Sequence, residues 1–433
     1  MTPCSRILVV GTTPDYISLI DSRWPGRALF LTDPRHRAEA AEAPPDAPSE
    51  VLRALTRPDE ALAALRRHLK QWQITLSGVA CFDCESMALA SQLARAFSLP
   101  YPTLEAVAAC RSKFTSKQLW RAAGLPCPEA ALVSDLAEAS RFMARVGGPI
   151  VLKPLTGSGS ELIFVCRTAE ECARALQTMK QRLAEHPDTR MYSPGAEQPD
   201  PRQVFAIEEF VAGDEYSCDF LLDAGYAEII RIARKVPATD MTFGTILAYE
   251  VPAALPRPLD RESFRKQIGA AARVVGLTRA ICMLDFIVRD GKAIMIEIAP
   301  RPGGDCLPPL LSRCCGLDIL GSALDLAEGR SITIPPPEQW KRLIGLRLFS
   351  KLAGVIRTID DSALRSDPRV LEVHLKHGAG HRVILPPDDY ESRLLGHVIF
   401  KPTPGRAVRD ECDELVAHLQ LEMEKQPCAT TKC

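Results

Sequence analysis

The chain has no excess charge of either sign: 53 Lys and Arg residues against 54 Asp and Glu leave a net charge of −1 over 433 residues. Proteins that neutralise nucleic-acid phosphates carry clustered excess cations, so a small-molecule substrate is expected and a nucleic-acid partner is not. Long apolar runs are also missing. No stretch approaches the ~20 apolar residues of a membrane-spanning helix. The first five residues lead straight into the apolar run 7–10, without the longer apolar stretch of a signal peptide. A cytoplasmic location with no membrane association is therefore the expectation.

Several familiar motifs are absent as well. Gly11 ends an apolar strand but lacks the spacing of a dinucleotide fingerprint, and no segment matches the Walker pattern. Fifteen cysteines are many, yet they are scattered through apolar segments of a long chain, unlike the framework of a small secreted domain, and reduced thiols are expected. Cys81 and Cys84 form a CxxC that would suit a redox pair or half a zinc site. No second CxxC follows at zinc-finger spacing, so buried thiols at a strand end are the plainer reading. Cys314, Cys315, Cys428 and Cys433 carry no readable chemistry, and His374, His377 and His381 sit at mixed spacing around a Gly turn, as solvated loop histidines do. There are no internal repeats.

What is present has the balance of a globular protein, with 46% hydrophobic and 25% charged residues. Since domains hold roughly 100–200 residues, about three units are expected. Residues 1–104 alternate strand-like and helix-like segments, an open α/β layer. Residues 105–330 mix β-rich runs with clear helices at 169–183 and 259–275, and a further helix is expected over 113–123, stopped by Gly124 and Pro126. The polar, Pro-rich stretch 186–202 reads as a mobile loop. After the linker 334–337, residues 338–433 suggest a small α+β cap ending in a helix near 409–424. The fold class is thus α/β and α+β.

Three segments carry chemistry. In the first, the apolar strand 149–153 ends in Lys153 and runs into Gly157-Ser158-Gly159-Ser160. Such a loop can lay backbone N–H groups against phosphate oxygens beside a lysine charge, although alone it is also an ordinary Gly/Ser turn. The second, Glu208-Glu209-Phe210-Val211 followed by Glu215, is a strand end that could pair with an adenine edge, with a carboxylate beyond for ribose hydroxyls; alone it reads as an acidic hairpin.

The third segment is the most informative. Two apolar strands around Asp290-Gly291 carry one acid each, Asp285 and Glu297, and carboxylates amid residues that want burial need cations or a metal. Register decides whether they can share one. A two-residue turn at Asp290-Gly291 would send the acids to opposite faces, because their spacing is even and side chains alternate along a strand. A three-residue loop with Gly291 left-handed and a bulge would bring them to one face, and that loop is predicted. A salt-bridged structural hairpin is the alternative.

In order and spacing, Lys113, Lys153 with its glycine loop, the 208–215 segment and the Asp285/Glu297/Arg301 hairpin resemble the ATP-grasp superfamily over residues 105–325, in the branch of carboxylate–amine ligases similar to L-amino-acid and dipeptide ligases. The resemblance implies an ATP-grasp fold with a lid at about 125–212, flanked by the first α/β unit and the cap. It implies that Lys113 and Lys153 contact ATP phosphates, that residues 157–160 close over them, that Glu208 to Val211 line adenine and that Glu215 holds ribose. Asp285 and Glu297 would coordinate Mg²⁺ or Mn²⁺, while Arg301 and Lys235 would act on the transferring phosphoryl group. Gly303, Gly304 and Asp305 are candidates for substrate binding. The family commonly places Asn where this chain has Ala299, which implies a poorer second metal site or a weakened enzyme.

Such a site phosphorylates a carboxylate, then lets an amine attack the acyl phosphate, releasing an amide, ADP and phosphate. Small-molecule carboxylates and amines, amino acids among them, are the implied partners, and a homodimer through the first unit is the default assembly. Carboxylation, a purine-pathway ligation, or a non-catalytic ATP-binding regulator remain as alternatives.

Overall fold

The computed structural model describes residues 4–187, 190–192 and 199–424. The first unit holds a four-stranded parallel sheet in the order Glu50–Leu52, Ala28–Thr32, Cys4–Val10, Ile74–Ala80. Every residue from Ile7 to Val10 is buried on both faces, which is why this strand reads as an uninterrupted apolar run. The segment 50–72 is strand Glu50–Leu52 followed by helix Pro58–Trp72, with Pro58 in the first turn, where its missing N–H costs nothing.

An eight-stranded antiparallel sheet forms the centre. Its order is Lys292–Ala299, Ala280–Arg289, Asp214–Asp223, Tyr226–Pro237, Ile246–Val251, Leu343–Phe349, Leu394–Phe400, Val370–Leu375. The last three strands come from residues beyond the Pro-rich linker, so that segment extends the central sheet. A small three-stranded sheet, Arg382–Val383, Gly354–Asp360, Gln420–Met423, completes it. The final helix spans Val408–Ala417, and Gln420–Met423 is a strand instead of the helical continuation expected.

Between these parts sits a second four-stranded sheet, in the order Ala130–Val133, Phe205–Glu209, Ile150–Pro154, Phe164–Cys166, covered by helices Leu136–Val146 and Ala169–Glu185. Its own apolar cluster, with Ile150, Leu152, Phe205 and Ile207, is separate from the central core. Part of the loop expected at 186–202, and Cys428 and Cys433, lie outside the described residues. The helix expected over 113–123 is Thr115–Ala122, leaving Lys113 just before it. Among the described residues no helix is long and apolar enough to cross a membrane.

The first unit docks on the central one through Ile7, Val9, Phe30, Ile281, Leu311 and Leu324 in one buried cluster. Gly78 lies so close to the end of helix Ile319–Ala327 that a Cβ there would sit 2.3 Å from the Ala327 carbonyl oxygen. Backbone cannot yield as a side chain can. Gly78→Ala is expected to lower stability by about 1–3 kcal/mol through overpacking, read as a reduced urea midpoint with an unchanged slope.

Candidate active site

The hairpin Ala280–Arg289 and Lys292–Ala299 brings Asp285 and Glu297 directly opposite one another. The route differs from the one predicted. Asp290 (φ 51°) and Gly291 (φ 71°) form a two-residue turn with both central residues left-handed, and Arg289 pairs with Lys292 across it. Regular pairing from that turn would place Ile296 opposite Asp285. Instead the register shifts between Asp285 and Phe286, making Ile296 an extra residue, and this bulge within the strand brings Glu297 onto the face of Asp285.

Cations surround the two acids. Lys235 Nζ lies 2.7 Å from Asp285 Oδ2 and 2.7 Å from Glu215 Oε1, so Glu215, a ribose candidate, is held by Lys235. Burial opposes the charged form of Lys235, but the two carboxylates raise its pKa. Lys113 Nζ sits 3.7 Å from Glu297 Oε1 and donates to the Gly157 carbonyl at 2.9 Å. Burial works against the Glu297 carboxylate too, yet Lys113, Lys117, Lys153 and Lys235 together hold its pKa below the ordinary value. For Asp285 the balance tips the other way, and burial raises its pKa despite Lys235. Asp285 Oδ1 is buried with no hydrogen-bond partner. An orphaned carboxylate oxygen facing a second carboxylate suits a divalent cation completed by phosphate oxygens. The residues present therefore fit the metal.

Glu208 departs most from its expected place on the adenine wall. Its oxygens lie 3.0 Å from Lys117 Nζ and 2.7 Å from Lys153 Nζ, with all three side chains at most 8% exposed. Lys153 is thus committed to Glu208. Two backbone amides there are already bonded, the Glu209 amide donating to the Glu129 carbonyl and the Phe210 amide to the Pro149 carbonyl. Glu209 also pairs with Arg289 at 2.9 Å, Phe210 stands beside Phe243, and Val211 is buried.

Gly157, Ser158, Gly159 and Ser160 line a cleft of about 300 Å³ with Lys113, Lys235, Asp285, Glu297 and Arg301. A second cavity of about 390 Å³ shares Cys84, Ser158, Arg301, Gly304, Asp305 and Lys376 with it and continues over Tyr16, Leu19, Phe82, Pro308, Pro309 and Leu320. Arg301 stands at this junction, its Nε 3.2 Å and Nη2 3.1 Å from Cys84 Sγ. Cys81 and Cys84 are both free thiols. Gly303 lines neither cavity; its amide donates to Asp219 Oδ1 at 3.0 Å, beneath the surface. Asp305 does face the junction, ion-paired with Arg347.

Sequence reasoning missed Lys117, although it lies one helical turn beyond Lys113. It also missed Arg347, Lys376 and Glu391, which reach the cleft from the last third of the chain. Nothing in their local sequence distinguishes them. His377 stacks on His381 with ring centroids 3.6 Å apart, and no group of three or more His, Cys, Asp or Glu among the described residues is arranged to hold a metal.

Residues 146–309 match the family model of the ATP-grasp domain. Over these residues the chain is similar to ATP-grasp domains. ATP-grasp ligases use ATP with divalent metal ions. By sequence the chain is similar to an uncharacterized protein of Sinorhizobium fredii, 27% identical over 339 residues, which cover 77% of this chain and 66% of that one, just under two thirds. It is also similar to a D-alanine–D-alanine ligase of Acidovorax ebreus, 28% identical over 253 residues, 54% of this chain and 70% of that enzyme. In fold it matches an L-amino acid ligase from Bacillus licheniformis with a TM-score of 0.77 at 16% identity, covering 98% of this chain and all of that one. The α/β and α+β fold class expected from the sequence is the one found.

Asp219 anchors the Arg301 turn: it takes the Gly303 amide on one oxygen and Arg231 Nε at 2.8 Å on the other, with both side chains at most 1% exposed. Removing one partner of such a pair leaves a buried charge uncompensated. Asp219→Ala is expected to cost about 3–5 kcal/mol in chemical denaturation.

Proposed function

We propose that this protein is an ATP-dependent carboxylate–amine ligase that joins an amino acid with an apolar side chain to an amine through an acyl phosphate, releasing ADP and phosphate. The observation that carries this reading is the facing pair Asp285 and Glu297, with one orphaned oxygen, at the wall of a cleft that opens into a second, largely apolar cavity. The similarity to D-alanine–D-alanine ligase supports it.

In this reading Asp285 and Glu297 would hold Mg²⁺ or Mn²⁺, which would supply charge neutralisation at the phosphates of ATP. Lys113, Lys235 and Arg301 add cations around the same oxygens, and the 157–160 loop lays its backbone amides over them. Lys153, tied to Glu208, contributes from below the wall, while Phe210 and Val211 flank the base. The substrate carboxylate lies at the junction of the two cavities, where Arg301 meets the γ-phosphoryl group as it passes to the carboxylate oxygen. Its apolar side chain rests on Tyr16, Leu19 and Phe82. The amine then attacks the acyl carbon, the carbon–oxygen bond to phosphate breaks, and the amine's proton is shed. The Gly304 amide and Asp305, steadied by Arg347, orient the substrates. Closure of the 157–160 loop keeps water from the acyl phosphate.

Ala299, buried where the family commonly has Asn, leaves two carboxylates for the metal. A regulator that binds ATP without turnover would have the same residue, and the assay separates the two. Purified protein with Mg-ATP is expected to release ADP and phosphate with leucine, methionine or phenylalanine and to form hydroxamates with hydroxylamine, while aspartate and lysine are poor. Glu297→Gln should lower turnover at least about 100-fold. ATP binding without release from any carboxylate would overturn the ligase reading.

A further inference from the structure

The two proposed metal carboxylates share a face only because Ile296 is bulged out of an edge strand. A bulge leaves the extra residue's backbone without its ladder partner, and an unpaired buried carbonyl is costly. Something must take the Ile296 oxygen. The Lys117 ammonium donates to it, and on its other side lies 3.0 Å from Glu208 Oε1.

Lys117 is well placed to hold a fixed point. It sits on helix Thr115–Ala122 with its side chain 1% exposed, and one turn on Trp120, fully buried, donates Nε1 to the Ala271 carbonyl at 3.1 Å. The neighbouring Met295 amide is satisfied by the Pro126 carbonyl at 2.9 Å, so both groups on the outer side of the bulge are held from outside the sheet. Burial disfavours a charged lysine and lowers its pKa. An ammonium retained there needs a purpose beyond packing, because a methionine of similar volume would fill the space without desolvating charge.

We propose that Lys117 is a positioning residue for the metal site: by capping the Ile296 carbonyl it locks the bulge, and the bulge sets the register that brings Glu297 opposite Asp285. The proposal rests on the reading that those two acids hold the divalent ion. It makes one unusual demand. In regular pairing Ile296 would oppose Asp285, so deleting Ile296 removes the bulge and puts Glu297 opposite Asp285 without it. In that shortened chain the acids face each other without Lys117.

The test is a double-mutant cycle on Mn²⁺ binding with ADP present, followed by the electron paramagnetic resonance signal of free Mn²⁺, which needs no turnover. Lys117→Met is expected to weaken Mn²⁺ binding at least about tenfold while ADP binding in EDTA changes less than about twofold. Adding Lys117→Met to the Ile296 deletion should cost less than about threefold relative to the deletion alone. Wild-type Mn²⁺ affinity in Lys117→Met, or an equal loss with and without the deletion, would overturn the proposal. If Lys117→Met does not fold, the double variant decides: folded and Mn²⁺-binding supports register control, and unfolded assigns Lys117 to the core. Asp285→Asn keeps the underlying reading separate. Should it leave Mn²⁺ affinity untouched, the metal assignment itself fails, whatever Lys117 does.

Discussion

Desolvated carboxylates are the constraint around which the middle of this molecule is built. Glu208, Asp285 and Glu297 stand among largely apolar strand residues, and burial works against the charge of each. Five cations answer them: Lys113, Lys117, Lys153, Lys235 and Arg301. They are divided by depth. Lys117 and Lys153 spend their charge on Glu208 below the surface, while Lys113, Lys235 and Arg301 stand on the cleft wall, where a polyphosphate would find them. Asp285, whose pKa burial raises even beside Lys235, keeps one buried oxygen without a hydrogen-bond partner for a different counterion.

Sheet continuity gives this charge arrangement further walls. The strand Leu343–Phe349 pairs with Ile246–Val251, so residues beyond the Pro-rich linker are hydrogen-bonded into the same sheet as the acids. That pairing fixes Arg347 against Asp305 and carries Lys376 and Glu391 to the cleft mouth. Two cavities that meet at Arg301 therefore have walls from all three stretches of the chain. The first stretch supplies Tyr16 and Phe82, the middle one the 157–160 loop and the acids, and the last one Lys376. A bisubstrate reaction needs such a junction, because both reacting groups must be held within reach of each other while water is kept out.

What was legible in the sequence follows from the range of the forces involved. The Asp285/Glu297 hairpin could be read because an acid inside an apolar strand is anomalous by itself, and the Gly157–Ser160 loop because its composition is local. Their shared face could be anticipated as a requirement, but not its cause. The Asp290-Gly291 turn obeys the commonest rule for its residues, and the bulge sits at Ile296, where the sequence has no glycine or other marker. Glu208 was misplaced because a carboxylate at a strand end looks alike whether it meets an adenine or two lysines, and the lysines lie about 90 and 55 positions upstream. Arg347 lies in strand Leu343–Phe349, Lys376 just follows strand Val370–Leu375 and Glu391 just precedes strand Leu394–Phe400, and only the register of the long sheet gives them a common destination.

The turn that follows the second acid shows how the same logic reaches the reacting groups. Strand Lys292–Ala299 ends before Pro300, and from there the chain must leave the sheet yet return Arg301 to the cleft. Gly303 is pressed against Arg231, whose Nη2 would lie 2.4 Å from any Cβ, so no larger residue fits while Asp219 holds the amide. One buried ion pair thus fixes the turn from beneath, and Cys84 on the first unit meets the Arg301 guanidinium from above. Arg301 can swing little in either direction. A guanidinium so confined would lose little freedom on meeting a phosphoryl group, which is the condition the role proposed for Arg301 requires.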